Sequence, residues 1–188
     1  MAELTLVLVA FDDELAAAWR EVADRPGVEV FAGSVTEADV DAVVSPANSW
    51  GVMGGGIDAV YARWFPGISD RVRAVTGGDL PVGAAVIVPT GTVRPGWLVS
   101  APTMRRPGET LHPEGANAGL AARAVLRLWR EGVLPDGTAV REAVRSIALP
   151  GLGTGVGGLH PRVCASHVAA AWDEHVGAPP PGATSPGS

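Results

Sequence analysis

Two glycine-dense turns constrain this chain more than any other feature. The first runs Ser45-Pro46-Ala47-Asn48-Ser49-Trp50-Gly51-Val52-Met53-Gly54-Gly55-Gly56-Ile57-Asp58, and the second Pro150-Gly151-Leu152-Gly153-Thr154-Gly155-Val156-Gly157-Gly158. Each follows a short apolar run that reads as a buried strand, Val40 to Val44 and Ser146 to Leu149, and each leads into a helix-like segment. A chain without Cβ atoms approaches an anion closely and aims successive N–H groups at it, while the following helix adds the positive end of its dipole. Two such loops imply a diphosphate held between them. Asn48 and Asp58 are the only polar side chains of catalytic type there, so the pattern points to a nucleotide-diphosphate site with little acid–base equipment.

The rest of the chain alternates strand-like and helix-like segments. Strands are expected at Leu4 to Val9, Val28 to Phe31, Val40 to Val44, Gly83 to Pro89, Trp97 to Ala101 and Ser146 to Leu149. Helices are expected at Asp13 to Val22, Ile57 to Phe65, Ser69 to Val75, Gly115 to Arg130 and Pro161 to His175, with shorter turns around Val35 to Asp39 and Ala139 to Arg145. In the Gly115 helix, Leu120, Ala124, Leu128 and Trp129 share a stripe, and the Pro161 helix opens on a proline, as a first turn allows. The alternation implies an α/β domain: a three-layer α/β/α sandwich on a mixed, mostly parallel sheet. Ligands of such sheets bind beyond the carboxyl ends of the strands, where both glycine loops fall. One domain over residues 1–176 is expected, followed by a disordered Pro/Gly/Ser-rich tail over residues 177–188.

Composition removes several classes of function. The 188 residues carry a net charge of −6, which argues against general nucleic-acid or anionic-membrane binding. All fourteen basic residues are arginine, and an acidic protein that binds a diphosphate must rely heavily on backbone N–H groups. No apolar run approaches the roughly 18 to 20 residues that cross a bilayer. The opening Met1-Ala2-Glu3 lacks a basic region and cleavage site of a secretory signal, so a cytoplasmic location is expected. The single cysteine, Cys164, excludes an internal disulfide and reads as a buried, inert thiol among alanines. The four histidines show no metal-ligand spacing, and neither metal nor cofactor is expected.

At these residues the chain resembles the macrodomain family, whose members bind ADP-ribose and often hydrolyse its conjugates. Val40 to Ser49 followed by Gly54-Gly55-Gly56-Ile57-Asp58 is similar to the family's strand, "NAAN" turn and "GGG(V/I)D" loop, and Gly153-Thr154-Gly155-Val156 to its "STGV" loop. The resemblance implies that Asn48 contacts the distal ribose, that Asp58 positions or activates water, and that Gly54, Gly55, Gly56 and Ile57 with Gly153, Thr154, Gly155 and Val156 hold the diphosphate. Three departures stand out. The family's "GD(I/V)T" segment is here Gly33-Ser34-Val35-Thr36, with Ser34 in place of the aspartate that reads adenine, so Ser34 and Val35 are the candidates at the base. Gly157 replaces the aromatic that often follows "STGV", which opens the distal-ribose side. The chain also stops after the Pro161 helix, short of the final strand and helix that often wall the adenine pocket.

Each candidate also has a plainer reading. Asp58 follows glycines at a helix start, where an aspartate serves as an N-cap. Asn48 tolerates a left-handed turn, and Ser34 suits a turn or cap. His160 either approaches the second loop or is structural. The tryptophans at 19, 64, 129 and 172 sit on helical stripes as core residues, whereas Trp50, inside the first loop, either touches ligand or packs as a lid. Phe11-Asp12, at the carboxyl end of the first strand, offers a stacking ring and an acceptor for the adenine amino group, or else a core residue and a helix cap. Three functions remain in play. They are hydrolysis of an ester-linked conjugate, either mono-ADP-ribosylated Asp/Glu or O-acetyl-ADP-ribose; non-catalytic reading of ADP-ribose or another NAD-derived nucleotide; and dephosphorylation of an ADP-ribose phosphate, disfavoured because no histidine is placed for it. The expected partner is ADP-ribose or an ADP-ribosylated protein.

Overall fold

The computed structural model describes residues 3–177. Six strands form one sheet in the order β2-β1-β6-β3-β5-β4, with β1 at Thr5–Ala10, β2 at Val28–Ala32, β3 at Ala42–Ser45, β4 at Val86–Pro89, β5 at Trp97–Ser100 and β6 at Ser146–Leu149. All neighbours pair in parallel except the edge pair β4 and β5. Six helices cover the sheet: α1 (Asp13–Arg20), α2 (Gly56–Trp64), α3 (Ile68–Thr76), α4 (Asn117–Glu131), α5 (Val140–Ala143) and α6 (Pro161–Gly177). The expected tail lies, beyond Gly177, outside the described residues.

Alternation along the strands builds two cores. Leu6, Leu8, Ala42, Val44, Val99, Ile147 and Leu149 face α1, α4 and α6, while their sequence neighbours Val9, Val43, Leu98 and Ala148 face α2, α3 and the 3₁₀ turn Val35–Glu37. Both faces of the central strands β1, β6, β3 and β5 are therefore largely buried, whereas the edge strand β2 is only partly covered. No helix among the described residues is long and apolar enough to cross a membrane.

Strand β1 is not a peripheral addition. It lies between β2 and β6, with Leu8 opposite both Val30 and Leu149, so its carboxyl end stands beside the second glycine loop.

Several boundaries differ from the sequence reading, the largest at β4, which begins at Val86 rather than Gly83. Strand β3 begins at Ala42 because Asp41 is occupied in fixing β6: its carboxylate accepts from the Arg145 and Ser146 N–H groups at 2.8 and 3.0 Å. Helix α1 stops at Arg20, and α4 starts at Asn117, whose side chain donates to the Thr103 carbonyl at 2.8 Å. The stripe assigned to α4 needs correction at Leu120 alone, since Ala124 and Trp129 are buried and Leu128 packs against the core as expected. Leu120 is 41% exposed, and the face turned inward carries Ala118, Ala121, Ala122, Val125, Leu126 and Trp129. Small alanines let α4 lie close against α6, and that packing outweighs the larger area of an outward leucine. Trp19, Trp129 and Trp172 are buried as expected, whereas Trp64 is only half-buried, stacked on Phe65 at 4.5 Å.

Candidate functional site

A cavity of about 980 Å³ opens at the carboxyl ends of β1, β3 and β6, where a parallel sheet places its ligands. The candidates of the two glycine loops and of the Gly33–Thr36 segment line it: Ser34, Val35, Asn48, Gly54, Gly55, Gly56, Ile57, Asp58, Gly153, Thr154, Gly155, Val156 and Gly157. Asp58 is the only ionisable side chain among the lining residues. An anion bound in this cavity meets no cationic side chain among the lining residues, only main-chain and neutral side-chain donors.

Those donors are present in two facing sets. The N–H groups of Gly55, Gly56 and Ile57, at the start of α2, and of Thr154 to Gly157 have no protein acceptor among the described residues. Free N–H groups at a helix start are an anion site by charge and by geometry. The loops converge, since a Cβ placed on Gly55 or Gly56 would lie 3.9 Å from Val156 Cγ2.

The glycines divide into two kinds. Gly54 and Gly155 have nothing within 4 Å of a built Cβ, so their bareness serves neither packing nor backbone strain. Gly153 is different: its φ is +74°, and a Cβ would fall 2.5 Å from Leu111 Cδ1. Gly157 is likewise structural, because a Cβ there would lie 2.7 Å from the Gly153 carbonyl oxygen and 2.9 Å from Leu111. The room freed by Gly157 is thus taken by Leu111 rather than opened toward a ribose. Leu111 also donates its N–H to the Gly157 carbonyl at 2.9 Å, tying the segment after β5 to the second loop.

Asp58 does not cap α2. The N-cap is Gly55, without a side-chain bond, and Asp58 lies in the first turn with its carboxylate turned to Ser45 at the end of β3. Ser45 Oγ donates to Asp58 Oδ1 at 2.6 Å. Oδ2 has no protein partner among the described residues and keeps accessible surface. Burial, with the side chain only 7% exposed, pushes the carboxyl up to about 6, and the Ser45 hydrogen bond partly opposes that rise. Tyr61, one turn along α2, donates its hydroxyl to the Val44 carbonyl at 3.0 Å and fixes the helix against β3.

Asn48 holds its own loop together. Its amide donates to the Val52 carbonyl at 2.8 Å and accepts from the Val52 N–H at 3.2 Å. The left-handed reading is corrected: no residue other than glycine has positive φ among the described residues. The side chain is buried, so any contact it makes with a ligand is made from a pre-set orientation.

At the opposite end, Ser34 behaves as the plainer reading expects. It caps the 3₁₀ turn, accepting from the Thr36 N–H at 3.3 Å while Glu37 accepts from the Ser34 N–H at 3.0 Å, a reciprocal capping box. Asp12 is likewise a cap, accepting from the Leu15 N–H at 2.8 Å, the plainer of its two readings. Phe11 keeps the functional reading open: its ring is 77% exposed and lines the cavity. Trp50, 44% exposed, and His160 are not among the lining residues; His160 Nδ1 instead accepts from the Arg162 N–H at 3.2 Å. Cys164 is buried, its thiol pushed up to about 12 by burial and its sulfur accepting from the Leu152 N–H at 3.3 Å. Sequence reasoning missed Ser45 as the partner of Asp58, and missed Met104, Pro107 and Gly108 of the segment after β5 as lining residues.

Known proteins place the chain. The family model described as Macro domain matches residues 44–168. An O-acetyl-ADP-ribose deacetylase of Salmonella typhimurium is 33% identical over 154 residues, 76% of this chain and 74% of the relative. An uncharacterized protein of Aquifex aeolicus is 38% identical over 138 residues, 73% of this chain and 76% of its own. Among solved structures, the DarG macrodomain of Mycobacterium tuberculosis superposes with a TM-score of 0.64 at 25% identity, covering 77% of this chain and 88% of that one. The DarG macrodomain of Thermus aquaticus does so with a TM-score of 0.61 at 27% identity, covering 75% and 87%. Strand β1 and Phe11 precede the matched segment, yet Val9 and Phe11 line the same cavity. With two converging loops of free N–H donors at the strand ends and this match across both of them, the chain belongs to the macrodomain family.

Proposed function

We propose that the protein binds ADP-ribose and hydrolyses an ester-linked conjugate of it, either ADP-ribose on an Asp or Glu side chain or O-acetyl-ADP-ribose. One observation carries this reading: a lone buried carboxylate with a free oxygen shares a cavity with two sets of unpaired N–H donors. The donors hold the diphosphate, so binding energy from a group that does not react positions the ester. Asn48 orients the distal ribose, its amide already fixed by Val52.

Asp58 then takes a proton from water as the water oxygen bonds to C1″ of the distal ribose. The C1″–O bond breaks, and its electron pair leaves with the Asp or Glu carboxylate of the conjugate. A carboxylate is a stable anion and needs no acid to leave, which suits a site with a single ionisable group. For an acetyl ester the same water attacks the acetyl carbon, and the ribose oxygen leaves with the proton that Asp58 took. A carboxyl near 6 is largely ionised at neutral pH yet basic enough for this task. The diphosphate raises it further by like-charge repulsion. The relative named O-acetyl-ADP-ribose deacetylase supports the ester chemistry.

The test is calorimetric titration with ADP-ribose, followed by turnover of an ester-linked substrate at catalytic enzyme concentration. Binding with turnover is expected. Binding without turnover would make the protein a reader, and no binding would remove the ADP-ribose reading altogether.

The base end yields a separate expectation. The exposed Phe11 ring offers a stacking face, and stacking one base is worth ~1–3 kcal/mol. Phe11→Ala should therefore weaken ADP-ribose about tenfold or more in the same titration. Asp12→Ala should lower stability by ~1 kcal/mol through the lost cap, with no change in preference between ADP-ribose and its inosine counterpart. A loss of that preference would return Asp12 to the base.

A further inference from the structure

The segment between β5 and α4 carries two arginines that neither the fold nor the proposed chemistry uses. Met104 pairs as an isolated parallel bridge with Asn48, so the residues that follow run along the cavity beside the side chain assigned above to the distal ribose. Met104, Pro107 and Gly108 line the cavity, while Arg105 and Arg106 between them are exposed at its mouth. Their guanidinium groups make no hydrogen bond or close ion pair among the described residues, although both charges are felt by the Glu109 carboxylate. That separates them from most of the other arginines. Arg25, Arg73, Arg94, Arg123, Arg130 and Arg162 are ion-paired, and Arg71, Arg127 and Arg141 donate to carbonyls.

The backbone beneath the pair is held firmly. Glu109 Oε2 accepts from the N–H groups of both Arg105 and Arg106, at 2.8 and 3.0 Å, and those bonds hold its carboxyl below the usual range. The Leu111 N–H to Gly157 bond anchors the far end of the segment to the second loop. A pre-set backbone lowers the ordering cost of any contact the side chains make. The charge is also local: the cavity has no cation among its lining residues, and the whole chain is acidic.

We propose that Arg105 and Arg106 form a docking rim for carboxylates flanking the modified residue of an acidic polypeptide, setting which ADP-ribosylated proteins enter the site. The proposal rests on the ADP-ribose reading above and names the partner of the same cavity. An ester-linked conjugate is joined through Asp or Glu, and neighbouring acidic side chains emerge with the polypeptide where the distal ribose meets solvent. Arginine's planar fork matches a carboxylate in two hydrogen bonds. An acidic partner is repelled by the rest of this surface and attracted at the mouth, so the rim sets register as well as affinity. A nucleic-acid strand needs a longer basic track than two adjacent arginines supply.

The test uses the full chain and three ligands: free ADP-ribose, and two synthetic peptides carrying ADP-ribose on a stable amide linkage, one flanked by glutamates and one by glutamines. In anisotropy titrations at low salt, the wild type should bind the glutamate peptide about five- to tenfold tighter than the glutamine peptide, with the difference shrinking as salt rises. The doubly substituted Arg105→Gln, Arg106→Gln protein should bind both peptides equally while keeping wild-type affinity for free ADP-ribose. Equal binding of the two peptides by the wild type overturns the proposal, as does a preference that survives in the variant. A parallel loss of free ADP-ribose affinity would assign the arginines to the diphosphate and also overturn it. Tighter binding of an ADP-ribosylated oligonucleotide than of the glutamate peptide would reassign the rim to nucleic acid. A wild type that binds none of these ligands overturns the parent reading, and this one with it.

Discussion

Gly155→Glu should abolish ADP-ribose binding while the protein remains folded. The position is exposed, has no positive φ, and offers open space around a built Cβ, so the side chain meets no steric obstacle. It does, however, put a carboxylate among the free N–H groups of Thr154 to Gly157, where the diphosphate is expected. Two like charges a few ångströms apart in a partly dehydrated cavity repel by several kcal/mol. The new carboxylate also competes for the same donors. Gly55→Glu, at the facing loop with φ −141°, should act in the same way. Loss of calorimetric heat in both variants, with unchanged thermal unfolding, is the expected result. Unaltered affinity in both would remove the diphosphate from between the loops. Gly153→Ala provides the contrast: its Cβ collides with Leu111 at a left-handed backbone position, so it should lose stability first and binding only in consequence.

The two kinds of glycine show where sequence reasoning stops. An apolar run followed by clustered glycines identifies a loop at a strand end, and the alternation of elements gives the layered sheet, because both are properties of neighbouring residues. Whether a glycine clears space for a ligand or for another part of the chain is decided across the fold. Gly157 reads as an opening for the ribose until Leu111, far along the chain, is seen against it. The segment from Thr103 to Leu111 has no periodicity to read. It enters the site through one bridge to Asn48 and one hydrogen bond to Gly157, and neither has a local signature. The stripe on α4 missed at Leu120 for a related reason. An alanine-rich helix carries several plausible faces, and only the presence of α6 selects the one with small side chains. Phe11 could be placed at the right edge of the sheet from its strand alone. Its solvent exposure could not, because it depends on β1 lying between β2 and β6.

Asp58→Asn should separate catalysis from stability in opposite directions. Burial raises the Asp58 carboxyl to about 6, above its unfolded value near 4, so ionisation is disfavoured in the fold. The sign follows from that direction. Below about pH 4 the group is protonated in both states and costs nothing; between about 4 and 6 the unfolded chain gives up its proton while the folded protein keeps it, so stability falls, and the penalty levels off above 6. The full penalty is on the order of 2–3 kcal/mol at pH 7.5. Asparagine keeps an oxygen for the Ser45 hydroxyl and removes the charge, so Asp58→Asn should melt several degrees higher at pH 7.5 and show little gain at pH 4. Turnover of the ester should meanwhile fall by ~10² to 10⁴, the range for a positioned acid–base group, while ADP-ribose affinity holds or improves through the lost repulsion. In the wild type kcat/KM should fall on the acid side with a midpoint near pH 6. Ser45→Ala tests the same pair from the other partner. Without the hydroxyl that stabilises the carboxylate, the acid limb should move to higher pH, so activity lost at pH 7 is partly recovered at pH 8.5. A merely structural serine would lower activity at every pH without moving the limb. A wild-type rate in Asp58→Asn would leave the carboxylate without a chemical role and make the protein a binder of ADP-ribose.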